Sequence, residues 1–481
     1  MQIEVLTGPQ GGGKSKLMRE ETIAAPGLYL FALPTTELID EQVLAFLKDK
    51  PSLVTRSIYA APNKGRTSVR LTQAREEIEA HGIQHAVLFT THATLMDHAL
   101  EGFDDWHIRI DEAPAAIQAG RFNIAITVRP WLERSFDLLV EPKSDWSALR
   151  FKDGVQPDWR SIERDPSAGK LGEFIKQAKL PYRAFVKATD WGTVDEIEWF
   201  SMWSPLQLSH CASVQVAGSS YTDSVGFKAV QSLFSDRLGF VLREVGEKRT
   251  GQPQITIHYF TRGHDGTTTF WGTSPGRFAI KAVCDHLGKA LPASGYWSGN
   301  GVVEVLMDHR LKASLIKPLA MGLNKHRAAR ACGFIYSAKA TNDDAPVMEV
   351  FELTKDQIRH AREDDAIAQF VMRGAIRDGD YGGPYAIYLY GEEQAERLRD
   401  HLTKIGFTDV TLQPVDEAGI MDLKRAKAAP AGLTPEERKA QRKAKDAARK
   451  KASRAAKALA QGRPTSANQG RGGRPKKPPS V

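Results

Sequence analysis

Short apolar runs bounded by turn residues recur along the chain, with stretches of helical spacing between several of them. Gln2 to Thr7 alternates as a short strand, Gly8 to Gly13 is a glycine-rich turn, and Ser15 to Ala25 has the spacing of a helix stopped by Pro26 and Gly27. Leu28–Leu33, Ala86–Thr90, Trp106–Ile110 and Ser213–Ala217 are near-continuous apolar runs, the pattern of parallel strands buried on both faces of a doubly wound sheet. A polar stretch follows around Gly246 to Gln254. The alternation then restarts with Ile255–Phe260, Phe278–Leu287, Val302–Met307, Gly333–Ser337 and Tyr385–Tyr390, which predicts a second α/β unit.

Roughly 100 residues, Ala113 to His210, separate two strands of the first unit, where a bare α/β crossover needs only about 10 to 15. An inserted subdomain is the natural reading. It holds six of the nine tryptophans, namely Trp131, Trp146, Trp159, Trp191, Trp199 and Trp203, which suits a small aromatic core; an exposed set would instead stack bases. The expected division is residues 1–245 with an insertion at about 115–210, residues 246–423, and a tail, 424–481.

Composition narrows the class. With 481 residues, 41% hydrophobic and 26% charged, the chain has the make-up of a soluble globular protein of several domains. No window approaches the ~18 apolar residues of a membrane span. The glycine-rich turn begins at Gly8, which leaves no room ahead of it for a secretory leader, so a cytoplasmic location is expected. Cys211, Cys284 and Cys332 are far apart and form no CxxC pair, and no HExxH occurs, so neither a disulfide framework nor a zinc site is expected.

The net charge of +8 is unevenly placed. Residues 424–481 carry 18 Lys and Arg against 3 Asp and Glu, and the rest of the chain carries 48 against 55. Thr434 to Leu459 is suited to a basic helix, whereas Gln461 to Val481 has too much Gly and Pro and too little apolar content to fold. Such a tail either keeps the protein soluble or contacts phosphates without regard to sequence.

Two motifs carry chemistry. Gly8-Pro9-Gln10-Gly11-Gly12-Gly13-Lys14-Ser15 fits G-x-x-x-x-G-K-[ST], directly after a strand and opening a helix. In such a loop, backbone N–H groups turn inward around phosphates, Lys14 neutralises the β and γ phosphates of ATP, and the Ser15 hydroxyl ligates Mg²⁺. The second is Trp106 to Ile110 followed by Asp111-Glu112, a strand ending in two adjacent acids. There Asp111 can hold the metal and Glu112 can act as base toward an attacking water.

With both motifs in place, the chain resembles a superfamily 2 helicase of the DEAD/DEAH-like kind, and especially the compact versions encoded by bacteriophages, over Met1 to about Leu398. Pro34-Thr35-Thr36-Glu37-Leu38 with Gln42 is similar to that family's motif Ia, and Phe89 to Leu95, which includes Thr91 and His92, to the Thr-rich element before the acidic box. The resemblance implies that Pro34, Thr35, Thr91 and His92 face a nucleic-acid backbone. Taken singly, Thr35 equally suits a helix cap and His92 a satisfied polar side chain. Ala217-Gly218-Ser219-Ser220 with Thr222 stands where the family's Ser-Ala-Thr coupling motif would be, or is simply a strand-end turn.

Pro318 to Asn324, with Gly322 and Asn324 as nucleotide contacts, looks like motif V, and Gln369-Phe370-Val371-Met372-Arg373-Gly374-Ala375-Ile376-Arg377 like motif VI. On one helix the spacing of Arg373 and Arg377 puts both guanidinium groups on one face. That face is either solvated or, beside Gln369, delivers a charge to the γ-phosphate when two domains close. The resemblance therefore implies two RecA-like P-loop domains with parallel sheets, a Trp-rich insertion in the first and a basic, largely disordered tail, with ATP and Mg²⁺ as cofactors. It also implies nucleic acid as partner, DNA with single-stranded contact, and unwinding or translocation as activity. No adenine-reading segment precedes Gly8, so no base preference is expected, and Ala113-Pro114 replaces the last letters of the acidic box, which favours DNA over RNA. Two rivals stay open: a terminase-type packaging ATPase, which needs a nuclease site for which Asp343-Asp344 and Asp364-Asp365 are the only material noted, and a nucleic-acid scaffold that binds ATP without turnover.

Overall fold

The computed structural model describes residues 1–60, 66–124, 129–140, 145–155, 170–178, 183–193, 196–246, 249–263, 266–318 and 325–423. The whole tail, Trp159, Gly322 and Asn324 lie outside the described residues. Residues 1–423 form one compact unit built on three sheets.

The first sheet begins with β1 (Gln2–Thr7), β2 (Leu28–Leu33), β3 (Val54–Ile58), β4 (Ala86–Thr91) and β5 (Trp106–Asp111). The chain then builds a separate sheet from β6 (Ile117–Asn123), β7 (Phe136–Val140), β8 (Trp146–Phe151), β9 (Arg183–Lys187) and β10 (Glu196–Met202) before returning with β11 (Ser213–Ala217) and β12 (Gly239–Glu244). The first sheet has the order β12-β1-β11-β5-β2-β4-β3, and every pairing in it is parallel. β2 and β4 are buried on both faces, which is why they read as continuous apolar runs, whereas β1 and β5 alternate buried and more accessible positions. Because β11 lies between β1 and β5, the turns after these three strands open side by side at one edge.

The second α/β sheet holds β13 (Gln254–Thr261), β14 (Tyr296–Gly299), β15 (Ser314–Leu315), β16 (Ala331–Ile335), β17 (Pro384–Gly391) and β18 (Val410–Pro414), in the order β15-β14-β16-β17-β13-β18, again all parallel. Two of the apolar segments expected in this unit are helical: Phe278–Leu287 within Ser274–Ala290 and Val302–Met307 within Gly301–Met307. The edge strand β12 was not anticipated, since it is exposed and gains its order from pairing with β1.

The sheet β6-β10-β9-β8-β7 is antiparallel and has its own core, in which Phe122, Phe136, Phe174 and Trp199 meet at centroid distances of 4.8 to 6.0 Å. Trp146, Trp199 and Trp203 are fully buried, and Trp131 and Trp191 pack at the edge of this core. These five tryptophans thus serve packing. The opposite face of the insertion carries Phe200, which meets Phe351 of the second lobe edge-on at 5.5 Å.

One expectation about local structure fails. The helix Asp365–Val371 ends before Arg373, and a 3₁₀ turn, Ala375–Arg377, follows Gly374. Arg373 and Arg377 therefore do not share a helix face. Two buried tyrosines cause the break: the Tyr296 hydroxyl donates to the Phe370 carbonyl at 2.9 Å and the Tyr385 hydroxyl to the Val371 carbonyl at 2.9 Å, closing the helix end. Gly374 makes room for them, since a Cβ there would lie 2.1 Å from the Tyr385 oxygen. Gly374→Ala is accordingly expected to cost about 1–3 kcal/mol by overpacking, seen as a lower denaturant midpoint; an unchanged midpoint would mean that the tyrosines do not fix this turn.

Candidate functional site

The phosphate loop is built by backbone conformation. Gly8, Gly11 and Gly13 have φ of 130°, 78° and 86°, a region that side chains disfavour, and α1 (Lys14–Ala24) starts directly after them. A Cβ on Gly8 would sit 1.9 Å from the Val245 carbonyl, so the loop is pressed against the segment that leaves β12. Lys14 is buried, and its ammonium donates to the carbonyls of Gly8 at 2.9 Å and Pro9 at 2.7 Å. Burial lowers its pKa, with Glu112 and Asp111 pulling the other way.

The acidic strand end meets this loop directly. The Ser15 hydroxyl donates to Asp111 Oδ1 at 2.8 Å, joining the two residues whose oxygens suit a divalent cation. Asp111 is buried, and burial raises its carboxyl, opposed by Ser15 and Lys14. Glu112 follows with φ of 68°, a strained conformation for a side-chain-bearing residue, and its N–H donates to the Ala217 carbonyl at 2.6 Å. Burial beside Asp111 pushes the Glu112 carboxyl up to about 8.

The second lobe supplies the opposite wall of a cleft of about 1450 Å³. Arg377 packs against Gly11 closely enough that a Cβ there would lie 2.8 Å from its Cγ. Among the described residues its Nε and Gln10 Oε1 are both buried without a hydrogen-bond partner in a cleft they line. An unpaired guanidinium N–H in such a place fits an anionic guest such as a polyphosphate. Arg373 is buried lower down, its guanidinium 3.4 Å from the Lys317 and Pro318 carbonyls and over the Phe370 ring. Gln369 donates to Asp365 Oδ2 at 2.9 Å, and Asp365 accepts from the Ser220 hydroxyl across the cleft.

The sequence reading missed Asp365, His360 and Asp223 as site residues. A π-helical turn, His360–Asp364, precedes the helix Asp365–Val371, and such turns favour functional positions. It places His360 3.4 Å from Asp364 and 3.9 Å from Asp223 of the first lobe. The only sequence signals were the i,i+4 spacing of His360 and Asp364 and the acidic pair itself, which had been weighed only as metal ligands.

The residues expected to face nucleic acid sit at the ends of β2 and β4. Thr35 caps α2 (Thr36–Asp49) by accepting from the Leu38 N–H, and Thr91 caps α3 (His92–Asp97) by accepting from the Thr94 N–H. Pro34 is half-buried beside them. His92 is buried, with Nε2 2.9 Å from the Asp111 carbonyl oxygen, and burial lowers its pKa to about 4. Its neutral ring braces the acidic strand end. Among the described residues no cluster of three or more His, Cys, Asp or Glu could hold a metal. Asp343 instead pairs with Arg121 and Asp344 with Arg362. Cys211, Cys284 and Cys332 are free thiols, and no helix of the described residues is long and apolar enough to cross a membrane.

No family model matches the chain, and no curated protein matches it in sequence. Among solved structures it is similar to XPD in its apo form, with 10% identity, a TM-score of 0.48 and coverage of 86% of this chain and 97% of that one. Xpd4 from S. tokodaii follows at 12% identity and a TM-score of 0.42, covering 86% and 96%. Dbp5 from S. cerevisiae bound to RNA and ADP BeF3 gives 10% identity and a TM-score of 0.36, covering 87% of each chain. All three TM-scores lie below 0.5, so the functional reading rests on the geometry of the cleft.

His360 gives its contact with Asp223 and Asp364 a pH dependence. Asp223 and Asp364 raise its pKa to about 9, while Asp365 and His401 also act on it and Lys404 acts on Asp223. Since the folded value lies above the ordinary 6.5, its stabilisation is complete below about pH 6.5 and is lost as pH rises through 9. The thermal midpoint of the wild type should fall toward that of His360→Gln over this window; curves that stay parallel would show that the contact contributes nothing.

Proposed function

We propose that the protein is an ATP-dependent nucleic-acid motor that hydrolyses ATP between two RecA-like lobes, residues 1–245 and 246–423, and uses cleft closure to move along DNA. The observation that carries this reading is the Ser15–Asp111 hydrogen bond at the mouth of a phosphate loop on which Arg377 of the other lobe is packed. A loop, a metal-binding pair, a base and a cation from the opposite lobe are the parts that γ-phosphoryl transfer to water requires.

In this reading Lys14 exchanges the Gly8 and Pro9 carbonyls for the β and γ phosphates. Ser15 and Asp111 would hold Mg²⁺, which when bound would supply positive charge against the phosphates. Glu112 orients the attacking water and takes its proton as the bond to the γ-phosphorus forms and ADP leaves. Arg377 stabilises charge on the transferring group, with Arg373 and Gln369 supporting it from behind. The Ser220–Asp365–Gln369 chain then joins the nucleotide edge of the first lobe to the helix that precedes Arg377. A packaging ATPase with a nuclease centre is disfavoured, because the acidic pairs considered for it are engaged with arginines, His360 and Ser220.

DNA as the track, with grip on the backbone of a single strand at the Pro34, Thr35 and Thr91 edge, is supported by the helicase resemblance and by Ala113-Pro114 after the acidic pair. The basic tail supplies affinity without sequence preference. A phage origin and a cytoplasmic setting belong to the same resemblance.

Steady-state phosphate release without polymer, and with single-stranded DNA, duplex DNA or single-stranded RNA, tests the reading. Stimulation by DNA is expected. Glu112→Gln should still bind ATP while release falls by about 10² or more, and Lys14→Ala should lose nucleotide binding. A rate indifferent to every polymer would defeat the motor reading, and wild-type release by Lys14→Ala would defeat the site. Deleting residues 424–481 should flatten the dependence of DNA affinity on salt, because counterion release scales with the phosphates neutralised; an unchanged slope would leave the tail a solubility feature.

A further inference from the structure

The segment between β12 and β13 touches both halves of the candidate site. On one side, the Val245 N–H donates to the Thr7 carbonyl at 2.8 Å, and the Val245 carbonyl abuts Gly8 of the phosphate loop. On the other, Arg249 Nη1 donates to the Ile376 carbonyl at 2.9 Å and Nη2 to the Asp378 carbonyl at 2.7 Å. These two carbonyls bracket Arg377. The Thr250 and Gly251 N–H groups continue the contact by donating to the Gly379 carbonyl at 3.1 and 2.8 Å, and the Arg249 guanidinium lies 4.2 Å from the centroid of Phe407, a buried ring.

We propose that Arg249 is a positioning residue for Arg377. This rests on the reading of Arg377 as the residue that meets the γ-phosphate. Arg377 itself is held through its backbone: its N–H donates to the Gly374 carbonyl at 3.0 Å in a short 3₁₀ turn, while its Nε is buried and unbonded. Three residues of 3₁₀ helix are weakly self-supporting. A planar guanidinium that donates to the carbonyls on both sides of Arg377 fixes the turn as a compact ammonium cannot.

The test compares wild type, Arg249→Ala and Arg249→Lys in the full chain, each also in an Arg377→Ala background. It measures kcat and KM for ATP with the best-stimulating polymer, binding of a fluorescent ATP analogue, and single-turnover rates for the slow variants. Arg249→Ala should lower kcat by about 10- to 100-fold, the scale of a mispositioned catalytic group, with analogue affinity within about twofold of wild type. Arg249→Lys should recover only part of the loss. In the Arg377→Ala background, Arg249→Ala should lower the rate by no more than about twofold further, because the two act as one unit.

A folded Arg249→Ala with wild-type kcat, or an equal fall in both backgrounds, would overturn the assignment while leaving the ATPase reading intact. A wild type that releases no phosphate would instead overturn the ATPase reading and this inference with it. Should Arg249→Ala not fold, Arg249→Lys bears the comparison, with the same two outcomes against the assignment.

Discussion

The candidate site depends on an electrostatic constraint. Asp111, Glu112 and Asp365 are withdrawn from water together with Lys14, Arg373 and Arg377, and burial moves the pKa of each toward its neutral form. A lone ion in such surroundings costs several kcal/mol, so the acids and cations are tolerable only as a set. The set is divided between lobes: Asp111, Glu112 and Lys14 come from the first, Asp365, Arg373 and Arg377 from the second. Opening the cleft separates opposite charges and hydrates them, whereas closing it brings them together. An anionic ligand that changes this balance therefore changes the preferred separation of the two charge sets.

The second lobe aims its residues through departures from regular helix. A continuous α-helix from Lys355 to Arg377 would spread His360, Asp364, Asp365, Arg373 and Arg377 around its axis. The π-helical turn at His360–Asp364 and the stop imposed by Tyr296 and Tyr385 re-aim them instead. The stop is not visible in local spacing, because it is enforced by Tyr296 and Tyr385, which lie outside the helix in sequence. The i,i+4 rule was sound for a helix, and what it could not anticipate is that Gly374 permits a tyrosine hydroxyl to occupy the space of the next turn.

The legible parts were those whose chemistry is local. The glycine turn, Lys14 and Ser15 announce themselves because consecutive inward N–H groups require glycine, β2 and β4 because burial on both faces demands unbroken apolar runs, and β1, β5 and β11 because apolar positions recur along short segments bounded by turns. The parallel α/β architecture followed from these. The exposed or short strands β3, β12, β14 and β18 were not legible, since pairing with a neighbour stabilises them more than their own residues do. His92 and Thr35 show the other limit. Their types suit phosphate contact, yet His92 is spent on the Asp111 carbonyl and Thr35 on a helix cap. A polar residue at a strand end satisfies the nearest backbone group first, and only the structure shows what capacity is left.

The insertion adds a constraint on how the lobes move. It interrupts the first lobe between β5 and β11, the two strands whose ends flank Glu112 and Gly218, and it rests on the second lobe. Arg121 reaches Asp343 and the Asn342 carbonyl, Lys187 reaches Glu349, and Phe200 meets Phe351. Exposed ion pairs of this kind are worth at most about 1 kcal/mol each, so the apolar contact around Phe200, Phe185, Val347 and Phe351 carries most of the adhesion. The lobes are thus joined at the His360 and Ser220 contacts, along the Arg249 segment, and through the insertion. A rigid-body opening that pivots on the insertion would move the cleft edge most, and the contacts there are polar, short-range and easily exchanged for water. Such an arrangement places the apolar, adhesive contact at the insertion and the polar, exchangeable contacts at the edge of the cleft.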